Sequence, residues 1–332
     1  YHPKVKEAAI AAIETYGTGA GASRHITGNH PLYKELEGKL AALKQTEAAC
    51  IFGSGYLANA GIIPALIGEG DLLLIDELSH ACLWAGAQLS RGTVLTFRHN
   101  DVEHAARLLK TSRALHEHAF IVTDGVFSMD GDLAPLHELA SLAQALDTWL
   151  MSDDAHGLGV IGAGRGSAFA DGKKAAVDLQ MGTLSKALGS YGGYLCASQP
   201  VIDLIKTRAR TLIYSTGLPP ASVAAAIAAL DVIAANPEFA ARPLAKAQMF
   251  TRLTNLPLAQ SPIVAIVLGD AENALEASRI LESEGFLAVA IRPPTVPAGT
   301  ARLRLAFTAG HADEDIERLA SLVRARILSM AA

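Results

Sequence analysis

Several residues of this sequence could do chemistry, and the first is Lys186, in the stretch DLQMGTLSKALG from Asp178 to Gly189. Thr183, Ser185 and Lys186 form a polar turn there that ends an apolar run. A lysine partly withdrawn from water loses some of its preference for the ammonium form, and its free amine can form a Schiff base with an aldehyde. Considered alone, it reads as an ordinary solvated lysine. His80, Ser128, Asp153 with His156, and Thr183 also follow apolar runs. Each has a bland reading, since a single histidine is more often a hydrogen-bonded structural residue and an Asp-Asp-Ala-His turn is more often a helix cap. Asp153, His156 and His80 lack the compact spacing of a metal site, so no metal is expected. The set as a whole suits an organic cofactor. One that bears an aldehyde, a pyridine ring and a phosphate needs a Schiff-base lysine, an acid for the ring nitrogen, a stacking group and a phosphate cup. Lys186, Asp153, His80, and Gly55 with Tyr56 supply them. Asp153 matters most electronically, because a carboxylate keeps the ring nitrogen protonated and the ring then accepts carbanion electrons.

These residues need a scaffold, and through the first two thirds of the chain extended and helical patterns alternate. A helical pattern over 5–16 leads into the glycine-rich loop GTGAGASRHITGNHP, Gly17 to Pro31, and then a helix from about Leu32 to Lys44. The loop lacks the spacing and preceding strand of a dinucleotide fingerprint, so it reads as a flexible connection or a phosphate cradle. AACIFGSGY is a strand entering a helix near Leu57 to Ile67, where Gly53 and Gly55 let the backbone approach a ligand at the helix N-terminus. DLLLIDELSH, TVLTFRHN, AFIVTDGVFSMDGD, TWLMSDDAHGLGV, DLQMGTLSK and GGYLCAS read as further strands, with helices over 81–89, 101–110 and 135–145. HEH at His116 to His118 reads as a solvated loop. This order predicts a mostly parallel sheet covered by helices on both faces, which binds ligands at the carboxyl ends of its strands.

From about Ala234 the style changes to a helical segment, a strand at Ile263 to Leu268, a helix over Glu272 to Glu284, strands LAVAIR and ARLRLAFT, and a final helix. The expected fold is therefore α/β, with a large domain over 1–233 and a smaller α+β domain over 234–332. Arg292 lies where LAVAIR exits toward Pro293 and Pro294, which stiffen the exit and would help aim its side chain toward the large domain. Otherwise it is a solubilising charge at a strand end.

Composition narrows the class. The chain has 332 residues, half of them hydrophobic and 18% charged, enough for a large core. A net charge of -5 gives no sign of a nucleic-acid or membrane-surface binder, which leaves small molecules and other subunits as partners. Cys50, Cys82 and Cys196 all lie in apolar stretches, and their odd number and wide spacing suit buried, unreactive thiols in a reducing cytoplasm. No apolar run reaches the ~20 residues needed to span a bilayer. Beginning at Tyr1 inside a helical pattern, the sequence reads as lacking an N-terminal segment.

SRHITGNHPLYKELE, FGSGYLAN, DELSHACLWAG, FRHND, TDGVFSMDGD, DDAHGLGV, GTLSKALG, IYSTGLPP and IRPPTVPAGTARLRLAFT together resemble the α-oxoamine synthase family of fold-type-I pyridoxal-phosphate enzymes. The resemblance covers nearly the whole chain and implies roles at matching positions. Lys186 would carry pyridoxal 5'-phosphate, His80 would stack on its ring, Asp153 would pair with the pyridine nitrogen and His156 would hydrogen-bond the phenolic oxygen. Ser128 and Thr183 would complete the cofactor contacts, with Gly55 and Tyr56 at the phosphate. Arg292 would grip the amino-acid carboxylate with its planar fork. Thr295 would lie close to the substrate. The turn near Thr216 resembles the piece that reaches the cofactor phosphate of a second copy, which implies a homodimer with the active site at its interface.

The family implies a decarboxylative condensation of an amino acid with an acyl thioester. IRPPTVPAGTARLR is similar to the branch serving biotin biosynthesis, which implies L-alanine and pimeloyl-CoA, or a pimeloyl carrier protein, as substrates. The alternatives are a synthase using glycine and acetyl-CoA, another α-oxoamine synthase, or an aminotransferase or decarboxylase of the same fold. A silent subunit would be expected to lack Lys186. Family members also carry an N-terminal segment that contributes to the acyl-substrate region, so acyl recognition is unreadable from this sequence.

Overall fold

The computed structural model describes residues 2–330, and the chain divides into two compact units. The first comprises the chain up to Val126 with Ala134–Pro237, and the second comprises Phe127–Leu133 with the chain from Glu238 onward. The sequence reading placed a single boundary after residue 233. In the structure the chain also enters the second unit briefly at 127–133, and polar contacts explain why. Leu133 N–H donates to Gln260 Oε1 at 3.0 Å, Arg304 Nε donates to the Ser128 carbonyl at 2.5 Å, and Arg302 pairs with Asp130.

In the first unit, α1 (Pro3–Tyr16) and α2 (Leu32–Lys44) precede β1 (Ala48–Phe52), which turns through Gly53 and Ser54 into α3 (Gly55–Leu66). There follow β2 (Leu72–Asp76), α4 (Ala81–Leu89), β3 (Thr93–Phe97), α5 (Val102–Ser112), β4 (Ala119–Asp124), α6 (Leu136–Ala145), β5 (Trp149–Asp153), β6 (Leu179–Thr183) and β7 (Gly193–Ala197). Helices α7 (Gln199–Arg208), α8 (Arg210–Ile213) and α9 (Pro220–Ala235) complete it. The strands form one seven-stranded sheet in the order β1-β7-β6-β5-β4-β2-β3. Pairing is parallel from β3 across to β6, whereas β7 runs antiparallel to both β6 and β1. The reversal has a simple cause: only a short loop separates β6 from β7, and a parallel strand would need a crossover of a dozen or more residues.

β2, β4, β6 and β7 are buried along their whole length, as strands covered on both faces must be. Ile62 and Ile63 of α3 pack into this core with Leu73, Ile75, Val122 and Leu195. Each such side chain contributes roughly 1.5–3 kcal/mol on burial. α3 starts two residues before the expected Leu57, because the Ser54 hydroxyl accepts the Leu57 N–H at 3.2 Å and so caps an earlier turn. α9 was not read from sequence. It is apolar on every side, which removes the amphipathic period, and most of it is buried. Among the described residues, no single helix is long and apolar enough to cross a membrane.

In the second unit, α10 (Pro237–Thr254), β8 (Ile263–Gly269), α11 (Ala271–Ser283), β9 (Val289–Ile291), β10 (Ala301–Ala306) and α12 (Asp313–Leu322) surround an antiparallel sheet ordered β8-β10-β9. Phe250, Leu268, Leu281, Leu303 and Val323 form a fully buried core of its own.

Candidate active site

Three parallel strands of the first unit end in acids. β2 ends at Asp76, β4 at Asp124 and β5 at Asp153; the last two are register partners, each 3% exposed. Only Asp153 was anticipated. Asp76 has a structural use, since its carboxylate accepts the N–H groups of Leu78 at 2.9 Å and Asn100 at 2.8 Å and contacts His99 Nδ1 at 3.2 Å. Asp124 accepts the His80 N–H at 2.7 Å. Burial, together with the charge of Asp153, pushes its carboxyl well above the usual carboxylate range.

Asp153 is held from two sides. Asn59, fully buried on α3, donates its side-chain amide to Oδ2 at 2.7 Å, and Ala155 N–H donates to Oδ1 at 3.0 Å. Cys82 Sγ lies 3.8 Å from Oδ2. These partners are all neutral groups that orient the acid, and a protonated ring nitrogen would complement it. Asn59 and Cys82 were missed as site residues. The available signal for Asn59 was a lone amide in a helix otherwise built from small and apolar residues. The expected apolar surroundings of Cys82 need correction: the thiol is buried, but against Asn59, Asp153 and His80.

His80 precedes α4 and caps it, its Nδ1 accepting the Cys82 N–H at 3.2 Å. Loss of water around the ring lowers its pKa below that of ordinary histidine; Asp153 opposes the shift and Lys186 adds to it. Thr183, buried at the end of β6, reaches the Ala155 carbonyl at 3.5 Å. Its Cγ2 stands 2.5 Å from where a side chain on Gly55 would begin, so glycine is required for α3 to start this close to β6. Lys186 is exposed, not half-withdrawn as its sequence setting suggested. Its charge still bears on the site: it adds to the lowering of His80 by burial, and it opposes the larger upward push of burial and Asp153 on Cys82 and Asp124. His156 is half-buried three residues beyond Asp153, and Tyr56 is 56% exposed in the first turn of α3.

Beside this cluster, the loop after β5 is clamped by a buried ion pair that the sequence did not reveal. Lys44, at the end of α2, pairs with Asp154, and both are almost wholly buried. Asp154 Oδ1 also accepts the Ser167 N–H at 2.9 Å. Gly157 and Gly166 have no room for a side chain against this carboxylate.

Other anticipated residues lie elsewhere. β4 ends before Ser128, which belongs to the second unit, so Asp124 takes the strand-end position the sequence reading assigned to Ser128. Thr216 forms an antiparallel bridge with Ser23 of the glycine-rich loop, which is therefore anchored and not simply a flexible connection. In the second unit, Arg292 and Thr295 are both exposed just after β9, joined by a hydrogen bond from Thr295 N–H to the Arg292 carbonyl at 3.0 Å. His116 and His118 are not simply solvated: His116 Nδ1 bonds the Ser112 carbonyl at 2.8 Å and His118 Nδ1 bonds Asp71 at 2.9 Å.

Lys186, Asp153, His80 and the glycine turn into α3 thus fit a phosphorylated pyridine aldehyde. Known proteins resemble this chain over nearly its whole length. Residues 1–323 match the family model for class I and II aminotransferases. The chain is 66% identical to the 8-amino-7-oxononanoate synthase of Methylocella silvestris, over 98% of this chain and 92% of that protein. It is 64% identical to the enzyme of the same name from Beijerinckia indica, over 97% and 84%. Among solved structures, serine palmitoyltransferase from S. paucimobilis with a bound PLP–myriocin aldimine superposes with a TM-score of 0.94 at 31% identity, over 99% of this chain and 85% of that one. An 8-amino-7-oxononanoate synthase from Francisella tularensis gives 0.80 at 25% identity, over 97% and 92%. The chain belongs to the class I and II aminotransferase family, within its α-oxoamine synthase branch.

Proposed function

We propose that this chain is a pyridoxal-phosphate-dependent acyltransferase. It condenses L-alanine with pimeloyl-CoA, or a pimeloyl carrier protein, and releases carbon dioxide, free thiol and 8-amino-7-oxononanoate for biotin biosynthesis. The observation that carries the reading is Asp153, a buried strand-end carboxylate with neutral partners, in a cluster where the charge of Lys186 is felt. The shared name of the 61–66% identical relatives supports the substrate assignment.

Bound pyridoxal phosphate supplies an electron sink for negative charge at the amino-acid α-carbon. The chain's own residues do the rest. Asp153 would hold the ring nitrogen protonated, His80 would lie against the ring, and His156 would hydrogen-bond the phenolic oxygen. Gly55 and Tyr56 offer first-turn amides and the positive end of α3 to the phosphate. Thr183 would add a cofactor contact, and the family resemblance assigns another to Ser128. Lys186 would hold the cofactor through its aldehyde carbon, and its amine would serve as the base for the α-proton. By the family resemblance Arg292 would grip the substrate carboxylate, which would align the bond to be broken, and Thr295 would contact the substrate. Two copies assemble as a homodimer in the cytoplasm, with Thr216 of one reaching the phosphate site of the other.

The test is visible absorption of the purified protein with pyridoxal phosphate, before and after L-alanine and then pimeloyl-CoA. Wild type gains a Schiff-base band that alanine changes, and Lys186→Ala gains none; a full band and full turnover in Lys186→Ala would refute the assignment. Product from alanine plus pimeloyl thioester, compared with glycine plus acetyl thioester, separates the reading from 2-amino-3-oxobutyrate CoA ligase. Release of free thiol separates it from an aminotransferase or decarboxylase.

A further inference from the structure

His80 is a histidine whose ring chemistry is set by its neighbour two residues on. The Cys82 N–H, which can only donate, points at Nδ1 from 3.2 Å, so this nitrogen presents a lone pair. Cys82 Sγ stands 2.8 Å from the same atom. The thiol is 4% exposed, and burial with the charge of Asp153 pushes its pKa up to about 12, so it keeps its proton. The sulfur already accepts from Asn59 Nδ2 at 3.1 Å, and its own proton has Nδ1 and, at 3.8 Å, Asp153 Oδ2 as acceptors.

We propose that Cys82 is a positioning residue whose backbone N–H and thiol together fix the His80 imidazole as the neutral tautomer protonated on Nε2. An imidazolium would set a second N–H at Nδ1 against the Cys82 N–H and a cation at the positive end of α4. The charged groups around the ring are divided: Asp153 of β5 favours a charged imidazole and Lys186 after β6 opposes it, while the Asp124 carboxylate of β4 accepts the His80 backbone N–H. Desolvation outweighs Asp153. On the functional reading above, a neutral ring can lie against a protonated pyridine without repulsion, and Nε2–H is its one remaining donor.

The test uses cofactor-free protein, so its outcome is separate from that of the enzymatic reading. Long-range nitrogen–proton correlation spectra of histidine-labelled protein, assigned with His80→Gln, report tautomer and charge directly. Wild type should show His80 neutral and protonated on Nε2 at pH 7, titrating below the ordinary value of about 6.5. Cys82→Ala, which keeps the backbone N–H and loses only the thiol donor, should weaken the preference for Nε2 protonation and move the titration midpoint up by about 0.5 to 1 pH unit, the equivalent of one hydrogen bond. Cys82→Ser, which keeps a donor, should return both toward wild type. A His80 protonated on Nδ1 or charged at pH 7, or a Cys82→Ala spectrum identical to wild type, would overturn the proposal.

Discussion

Asn59 and Asp153 are far apart in sequence, yet the Asn59 side-chain amide donates to Asp153 Oδ2 at 2.7 Å inside the protein. An amide suits the place because it directs a donor at the carboxylate without cancelling its charge. The acid is thereby oriented and remains available to a cationic partner.

Removing that donor should weaken the cofactor site. In Asn59→Leu the carboxylate loses a hydrogen bond to a charged group, worth about 1.5–3 kcal/mol, so pyridoxal-phosphate affinity should fall about tenfold or more. Titration of the visible band measures this, and unchanged affinity would show that Asp153 is oriented without Asn59.

Lys44 and Asp154 form a buried ion pair, so single and double substitutions should differ in character. Lys44→Met leaves an uncompensated buried carboxylate and should cost about 3–5 kcal/mol in urea unfolding. Adding Asp154→Asn removes the charge, keeps an acceptor for Ser167 N–H, and should recover much of that loss. No recovery would assign the loss to packing.

Two glycines should respond in opposite ways to alanine. At Gly55 a Cβ would stand 2.5 Å from Thr183 Cγ2, so Gly55→Ala should cost about 1–3 kcal/mol and disturb the first turn of α3. Gly38 is exposed within α2 with nothing within 4 Å of a Cβ, so Gly38→Ala should stabilise by about 0.5–1 kcal/mol. Thermal melts of the two variants decide; equal shifts would contradict the packing argument.

Asp124 should make stability depend on pH. Its folded-state pKa lies above the unfolded value because burial and Asp153 disfavour its charge. Between those values the folded protein holds a proton that the unfolded chain has released, so stability declines as pH rises from about 4 toward the raised value. Asp124→Asn keeps an acceptor for His80 N–H and should flatten this decline. Urea midpoints of wild type and variant across pH 4 to 8 measure it, and parallel curves would refute it.

The alternation of strands and helices, the small C-terminal sheet, and the strand ends that carry Asp153 and Thr183 are all legible in local pattern. Period and turn chemistry are local properties, and the chain states them wherever an apolar run meets a polar turn. Tertiary structure decided what those positions touch. Nothing near Asp153 in sequence names Asn59 as its partner, since that contact depends on α3 packing against β6 and β7 beside the end of β5. The ion pair of Lys44 with Asp154 depends likewise on where α2 ends. Asp124 replaced Ser128 at a strand end because β4 stopped four residues before the apolar and polar pattern suggested, when the next segment found hydrogen bonds in the second unit. Cys82 changed from an inert core thiol into the neighbour of His80, Asn59 and Asp153 because the start of α4 meets the ends of the strands. Local pattern sets which residues arrive at the carboxyl edge of the sheet, while strand order and helix crossing set which of them are within bonding distance.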